Sequence, residues 1–344
     1  MNAASHPLVL IADIGGTNAR FALADTSVRP PLQEDSIRRY RVADFPSLVD
    51  AARQYLQEVD AKPRRAVLAI AGHVEQGRVH ATNSPWRIEA DNIRQVLGLN
   101  AVTLINDFAA QSMCLPLLGA GDVREIGTPS APMIGRRDPQ TFTVVGPGTG
   151  LGVGALLLRD NHFHPMQTEG GHCGFAPDTP EEIEILKVLS ERFGRVSNER
   201  LVSGNGLVNL YEALAVIEGM TAESLEPEQI TRRALQENDI LCVRAVEHFC
   251  AIFGAVAGDA ALCHGGWDGV FLAGGLSPLL VPWLRRAPFR QRFEDKGRMA
   301  STMSKVPTIV ITHPHAGLLG AAASAVVETG GPLLDALELP AMIL

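Results

Sequence analysis

The sequence of 344 residues has few aromatic residues, few cysteines and no excess of positive charge. Its formal net charge of −8 argues against nucleic acid or an anionic membrane as the main partner. Its five cysteines are scattered and form no C-x-x-C pair. This pattern favours reduced thiols in a cytoplasm over a disulfide framework or a zinc site.

Signals for export or for membrane insertion are also missing. The N-terminus lacks a basic region, and Asp13 interrupts the first apolar run, so a signal peptide is not predicted. We take Phe142 to Leu158 as the longest apolar stretch, and five glycines and a proline break it. A membrane span is therefore not expected, and the sequence predicts a cytoplasmic protein.

The length exceeds what one hydrophobic core usually supports, so two lobes are expected. Short apolar runs of the buried-strand type alternate with amphipathic segments, which predicts mixed sheets with parallel pairs and crossover helices. The predicted strands are Leu8–Asp13, Ala19–Leu23, Ser36–Val42, Ala66–Ala71, Val102–Ile105, Phe142–Val145, Leu151–Leu158, Val270–Ala273 and Thr308–Ile311. The predicted helices are Ser47–Val59, Glu181–Phe193, Leu207–Glu218, Pro227–Asn238, Ile240–Cys263 and the small-residue helix Gly317–Ala325, which is suited to close packing. The Gly- and Pro-rich stretch Gly119–Gln140 is predicted to be a connection.

One pattern occurs twice. A strand, the turn Asp13-Ile14-Gly15-Gly16-Thr17-Asn18 and a returning strand open the chain. A strand, the turn Gly146-Pro147-Gly148-Thr149-Gly150 and a returning strand follow the connection. This indicates an internal duplication. Two halves that each begin with a phosphate-sized glycine turn suggest a nucleotide held in a cleft between lobes.

Phosphate binding is the chemistry that these turns favour. In the first turn we expect the glycines to adopt positive φ and to bring backbone N–H groups near a phosphate, and the second turn gains weight by repeating the first. Thr17 and Asn18 add donors, and the Asp13 carboxylate suits a magnesium ion, through water. The alternative is a plain hairpin turn with a capping aspartate. The spacing fits neither a Walker A loop nor a dinucleotide-binding G-x-G-x-x-G motif.

A general base is the second feature. Asn106 and Asp107 stand where an apolar strand ends and a helix begins, and the carboxyl ends of parallel strands usually face a ligand cleft. Phosphoryl transfer to a hydroxyl needs a proton acceptor, which Asp107 could be, while Asn106 could hold a neighbouring hydroxyl. The alternative is that Asp107 only caps the helix.

Several polar residues could bind a ligand with many hydroxyls. Glu169 and His172 are close in sequence, and both can form several hydrogen bonds. A metal site or a solvated turn are the alternatives for this pair. Glu199 precedes Ser203–Gly206, which we predict to be a turn, and by itself it resembles a surface charge. Gly274-Gly275 could admit an adenine ring or could simply end a strand.

Taken in order, these segments resemble those of bacterial glucokinases, which belong to the superfamily of hexokinases, actin and heat-shock-chaperone ATPases. The resemblance runs from Asp13 to Gly320. The matching segments are Asp13–Arg20, Asn106–Phe108, Gly148–Gly152, Glu169–His172, Glu199–Gly204, Ala273–Gly275 and Phe293–Gly297. Each is weak alone, but seven in register are specific. A zinc-binding group of related sugar kinases has a cysteine-rich loop after its Glu-x-Gly-His segment. Here only Cys173 follows, so no zinc is expected.

The resemblance implies an α/β, two-lobed, actin-like ATPase (ribonuclease H-like) fold with mixed sheets flanked by helices. It implies a small lobe of residues 1–118 completed by 313–344, a large lobe of 119–312, and a homodimer. Glucose and ATP would meet in the cleft. By similarity, Asp107 is the base on the 6-hydroxyl of glucose, and magnesium accompanies ATP. The remaining roles by similarity are sugar binding for Asn106, Asp107, Glu169, His172 and Glu199, and nucleotide binding for Asp13–Asn18, Gly148–Gly150 and Gly274-Gly275.

A rival class uses the same ATPase core without sugar chemistry. A non-catalytic sugar sensor or an actin-like assembly protein would also have two glycine turns. Glu169, His172 and Glu199 favour a sugar site over a polymer contact. Slow ATP hydrolysis that no hexose affects, together with filament formation, would favour the rival.

Overall fold

The computed structural model describes residues 7–80, 85–129, 134–236, 238–286 and 288–334. These ranges contain two large sheets, one small sheet and flanking helices. The strands are β1 (Leu8–Ile14), β2 (Asn18–Asp25), β3 (Leu32–Arg41), β4 (Arg65–Ile70), β5 (His73–Glu75), β6 (Arg78–His80), β7 (Ile88–Glu89), β8 (Ala101–Asn106), β9 (Val123–Glu125), β10 (Gln140–Pro147), β11 (Leu151–Arg159), β12 (His162–Thr168), β13 (Gly269–Leu272) and β14 (Thr308–Ile311). The helices are α1 (Leu48–Glu58), α2 (Ala90–Leu97), α3 (Asp107–Met113), α4 (Pro180–Phe193), α5 (Gly204–Ile217), α6 (Pro227–Leu235), α7 (Ile240–His264), α8 (Val281–Leu284), α9 (Phe289–Glu294), α10 (Ala300–Met303) and α11 (Ala316–Glu328).

The two large sheets share one topology. The first has the strand order β3-β2-β1-β4-β8, and the second has β12-β11-β10-β13-β14 with β9 added at its edge. In both sheets the first three strands are antiparallel and the next two run parallel to the central strand. The predicted mixed α/β architecture is therefore confirmed. The duplication extends over five strands rather than two.

Helices α3 and α11 form part of a core that both sheets share. Buried residues of β1 and β10 belong to the same apolar cluster as most of α11. The two helices approach closely, since a Cβ atom on Gly320 would lie 1.7 Å from the Ala110 carbonyl oxygen. The predicted close packing of the small-residue helix is confirmed. Two further clusters cover the outer faces, one with α1 against the first sheet and one with α4 to α7 against the second.

Helix α7 is long and apolar enough to cross a bilayer, judged by length and composition alone. Two thirds of its most apolar window, 67%, is buried inside the protein. Gly254 and Gly258 let the backbone of α9 pack against it, at Phe289 and Phe293. It is packed as a core helix.

Several predicted boundaries are wrong. Ser203–Gly206, predicted as a turn, begins α5: Ser203 is the N-cap, and its Oγ accepts a hydrogen bond from the Gly206 N–H at 3.0 Å. The predicted connection Gly119–Gln140 contains β9, which pairs with β14, while its residues 130–133 lie outside the described ranges. Strand β12, the small sheet β5-β6-β7 and the helices α2, α8, α9 and α10 were not predicted.

Candidate active site

A cleft of about 380 Å³ lies where the carboxyl ends of β1, β4, β8 and β10 meet. This is the edge at which ligands bind in parallel sheets, and the volume is typical of small-molecule sites. Thirteen of the predicted site residues line it: Ile14, Gly15, Gly16, Thr17, Asn106, Asp107, Gly148, Thr149, Gly150, Glu169, His172, Glu199 and Gly274. Asp13, Asn18 and Gly275 are not part of the lining.

Asp107 is the first residue of α3, and Asn106 is the N-cap. The Asn106 Oδ1 accepts hydrogen bonds from the N–H groups of Phe108 at 2.8 Å and Ala109 at 3.1 Å, and its Nδ2 donates to the Gly72 carbonyl oxygen at 3.1 Å. The residue that caps the helix is therefore Asn106. The Asp107 Oδ1 accepts from the Phe108 N–H at 3.0 Å, which fixes the carboxylate at the floor of the cleft.

Burial raises the pKa of Asp107 to about 7, and the nearby Asp13 carboxylate contributes in the same direction. Glu169 adds a smaller effect of the same sign, whereas the Phe108 N–H acts against it. A carboxyl group with a pKa near neutrality is well matched to accept a proton during a reaction at physiological pH.

The first glycine turn, Ile14–Thr17, is held by contacts within its own sheet. The Gly15 N–H donates to the Asn18 carbonyl oxygen, and the Val42 N–H donates to the Thr17 carbonyl oxygen, both at 2.9 Å. Beside the turn, Arg20 Nη1 donates to Asp13 Oδ2 at 3.0 Å. Burial nevertheless raises the pKa of Asp13, against the influence of Arg20.

The second glycine turn, Gly148–Gly150, has an internal bond from the Gly148 N–H to the Gly150 carbonyl oxygen at 2.8 Å, and it is also held from outside its sheet. The Gly204 N–H at the start of α5 donates to the Gly148 carbonyl oxygen at 2.9 Å. The Leu151 N–H, directly after the turn, donates to Glu199 Oε2 at 2.9 Å. The positive φ expected in the first turn is wrong for Gly15, and Gly148 and Gly150 of the second turn are also outside the left-handed region.

Two cleft glycines have a positive φ, Gly72 at +136° and Gly274 at +78°, and a Cβ atom on Gly274 would lie 2.4 Å from the Pro147 carbonyl oxygen. The end of β10 and the backbone that follows β13 therefore touch beside the cleft. Gly274 is required by this packing, whereas a Cβ atom on Gly275 would meet nothing within 4 Å.

Glu169 is the N-cap of the 3₁₀ turn Gly170–His172, and His172 is the last residue of that turn. Their side chains are 54% and 61% exposed, and the Glu169 Oε2 and His172 Nε2 atoms are 3.9 Å apart. Both side chains line the cleft and can contact a ligand there. Glu199 lines it as well, half-buried.

The glucokinase family model matches residues 10–328. The chain is 53% identical to the glucokinase of Stenotrophomonas maltophilia (strain R551-3) over 329 residues, which are 94% of this chain and 96% of that protein. The chain belongs to the glucokinase family.

Solved structures agree with this membership. The glucokinase of an Antarctic psychrotroph, with 34% identity, superposes with a TM-score of 0.80 over 93% of this chain and 98% of that one. A ROK family glucokinase from Streptomyces griseus, solved in complex with glucose and AMPPNP, superposes with a TM-score of 0.60 over 92% and 98%. At 21% identity, this second likeness shows the fold alone. The fold of this glucokinase-family enzyme is the actin-like ATPase fold.

Sequence reasoning missed Gln111 in this member of the glucokinase family. Gln111 lies on α3 four residues after Asp107, on the same helix face, and it lines the cleft. Its Oε1 is buried, and in the described parts of the chain no hydrogen-bond donor reaches it. A buried acceptor of this kind normally has a partner, so a ligand hydroxyl or water is its natural donor. The spacing of four from Asp107 is the signal that could have identified it.

Proposed function

We propose that this enzyme transfers the γ-phosphoryl group of ATP to the 6-hydroxyl of glucose, with Asp107 as the general base. One observation carries the proposal: the Asp107 carboxylate lies at the cleft floor, between two glycine turns, with its pKa raised to about 7. A proton acceptor beside two phosphate-sized turns is the arrangement that kinase chemistry requires. Membership of the glucokinase family supports glucose and ATP as the substrates.

The sugar would be held by the polar side chains around Asp107. Glu169 and His172 are open to the cleft and can form several hydrogen bonds each. Glu199 offers a carboxylate from the adjacent 3₁₀ turn, Asn198–Arg200. The Asn106 side-chain oxygen already accepts two hydrogen bonds in the α3 cap, and one amide hydrogen is donated to Gly72. Only the second amide hydrogen is therefore available to a sugar hydroxyl. The main contribution of Asn106 is to orient Asp107.

The phosphates would be held by backbone N–H groups of the two turns other than those of Gly15 and Gly148, which donate within their own turns, and Gly274 and Gly275 would border the adenosine. A Cβ atom on Gly148 would meet nothing within 4 Å, so its glycine leaves open space in front of the backbone. Such space lets a phosphate approach the N–H groups closely. Asn18 contributes less directly, because its Oδ1 accepts from Arg39 Nε at 3.0 Å.

Magnesium fits this site as an ion held largely by nucleotide phosphates, which is its usual arrangement. In the described ranges, no group of three or more His, Cys, Asp or Glu side chains could hold a metal by itself. The Asp13 Oδ2 accepts from Arg20, and no protein donor among the described residues reaches Oδ1. Asp13 would therefore hold the ion through water. The ion would supply positive charge to the phosphate oxygens.

In the reaction, the sugar O6 forms a bond to the γ-phosphorus as the bond to the bridging oxygen of ATP breaks. The O6 proton passes to the Asp107 carboxylate, and ADP leaves with the bond's electron pair. The turn N–H groups stabilise the charge on the phosphoryl oxygens. Closure of the lobes over glucose would exclude water.

The proposal has four broader parts beyond the site. We place the enzyme in the cytoplasm, at the entry to glycolysis, as a homodimer. We assign residues 1–118 and 313–344 to the small lobe and 119–312 to the large lobe. Helix α11 supports the discontinuous small lobe because it packs against β1, β2 and β4. Residues 1–6 and 335–344 of that lobe lie outside the described ranges.

Replacement of Asp107 by Ala tests the proposal. We expect kcat to fall by about two to four orders of magnitude, because the proton acceptor is lost, while glucose still binds. ADP release measures kcat, and calorimetry measures glucose binding on the same preparation. Turnover within a few-fold of the wild type would contradict the role of Asp107.

A further inference from the structure

The segment Ser197–Gly204, which we call the connector, contacts on one side the residues that follow Glu169–His172. Its Asn198 N–H donates to the Cys173 carbonyl oxygen at 2.9 Å. Ser197 forms an antiparallel bridge with Gly174. The connector is therefore bonded to the residues that directly follow His172.

The same segment contacts the second glycine turn on its other side. Gly204 donates its N–H to the Gly148 carbonyl oxygen, and the Glu199 Oε2 accepts the Leu151 N–H, both at 2.9 Å. The Ser203 Oγ donates to the Glu199 carbonyl oxygen at 2.8 Å, which fixes the backbone that carries this carboxylate. Eight residues thus join the two halves of the proposed active site.

Glu199 both lines the cleft and holds the second glycine turn. Its Oε2 is committed to the turn, whereas its Oε1 accepts from no protein donor in the described parts of the chain. The side chain is half-buried and lines the cleft near Glu169 and His172. One oxygen can therefore accept a ligand hydroxyl while the other holds the turn.

We propose that Glu199 couples sugar binding to nucleotide binding, because a bound sugar hydroxyl fixes the carboxylate and thereby orders Gly148–Leu151 for the phosphates. This inference rests on the proposed function. It adds a positioning role to a residue otherwise assigned only to sugar contact. Coupling of this kind is reciprocal, so nucleotide must tighten glucose binding by the same factor.

The structure provides a variant that breaks the link and leaves the carboxylate chemistry intact. A Cβ atom on Gly150 would lie 2.4 Å from Glu199 Oε2, and Gly150 is outside the left-handed region. Gly150→Ala should therefore fold normally and push the carboxylate off the Leu151 N–H. Glu199→Asp is a second route, since the shorter side chain cannot reach both partners. Glu169→Asp is the matched control, because Glu169 makes no contact with the turn among the described residues.

The experiment measures the dissociation constant of AMPPNP with magnesium by calorimetry, with and without saturating glucose. We expect glucose to tighten AMPPNP binding by about 5- to 150-fold in the wild type. In Gly150→Ala and Glu199→Asp, glucose should tighten AMPPNP binding by no more than about threefold. In Glu169→Asp, glucose should bind more weakly. At saturating glucose, however, AMPPNP binding should be tightened by nearly the same factor as in the wild type.

Unchanged coupling in both Gly150→Ala and Glu199→Asp would overturn the inference and would assign the coupling to lobe closure alone. An equal loss in Glu169→Asp would also overturn it. Glucose turnover is assayed in parallel, so that the two proposals can fail separately. Turnover with unaltered coupling contradicts only the role of the connector, whereas a wild-type protein that binds no glucose contradicts both proposals.

Hydrogen exchange on the wild type gives a readout that needs no variant. Glucose alone, without nucleotide, should slow amide exchange in the peptide that contains Gly148–Leu151. The peptide that contains the first turn, Ile14–Thr17, is the internal control, since no connector residue bonds to it in the described ranges. Protection of neither peptide, or of both equally, would contradict the inference.

Discussion

The two halves of the molecule have the same strand order but hold their glycine turns differently. Each turn has one internal backbone bond, but the first turn is tethered further by Val42, directly after β3, whereas the second is tethered by α5 and Glu199. Asp13 precedes the first turn, and Gly146 stands at the corresponding place in the second. There a Cβ atom would lie 2.5 Å from the backbone of Ala273. The duplicated topology thus supplies two similar turns. Different hydrogen bonds hold them, and only the second turn is bonded to a residue proposed to bind the sugar.

The largest effect is expected where the second half touches α3. A Cβ atom on Gly152 would lie 1.8 Å from the Phe108 ring, so Gly152→Ala must displace that ring from β11. We expect a loss of about 3 kcal/mol in the free energy of unfolding, measured by denaturant titration. Gly148→Ala, which meets nothing within 4 Å, is the control and should change stability by less than about 0.5 kcal/mol. Equal stability of the two variants would contradict the packing.

The next largest effect is on the pH dependence of activity. It involves Asp13, whose place in the second half is taken by Gly146. The pKa of Asp107 is raised above its usual value, so below pH about 7 the carboxyl is protonated in the folded enzyme and cannot accept a proton. We expect kcat/KM for glucose to fall about tenfold per pH unit below that point. In Asp13→Asn one of the causes is removed, so the midpoint should move to lower pH. A midpoint that stays in place would show that Asp13 has no influence on Asp107.

A smaller effect distinguishes the turns themselves. Gly15→Ala and Gly148→Ala each place a methyl group where no clash within the protein is found, with 3.7 Å to the Asn18 carbonyl oxygen in the first case. If both turns hold phosphates, each variant should raise KM for ATP by about five- to tenfold, since a Cβ keeps the phosphate from the backbone. KM for glucose should change less. A response confined to one turn would assign the phosphates to that turn alone.

The sequence predicted the fold where local signals decide it. Strand–turn–strand units are short and carry their glycines with them, and β14 was predicted at its observed bounds, Thr308–Ile311. Strand β12 was missed because its residues are largely polar and half-exposed, and its pairing with β11 is what makes it a strand. Strand β12 forms because it pairs with β11, and its own sequence pattern does not predict a strand.

The site was predictable as a set of residues but not as a network. The cleft brings together Asn106, Asp107, Glu169, His172 and Glu199, as expected. Which of Asn106 and Asp107 caps α3 could not be read from two adjacent capping residues. The contact between Glu199 and Leu151 joins residues 48 positions apart, and no local pattern encodes it.

The most direct test of the central proposal is a coupled ADP-release assay on the wild-type protein, with glucose, mannose, fructose and glucosamine compared against no sugar. We expect ADP release to depend on glucose and to match glucose 6-phosphate formation one to one. Slow ATP hydrolysis at a rate that no hexose alters would contradict the proposal and would favour the rival class of sugar sensors and assembly proteins.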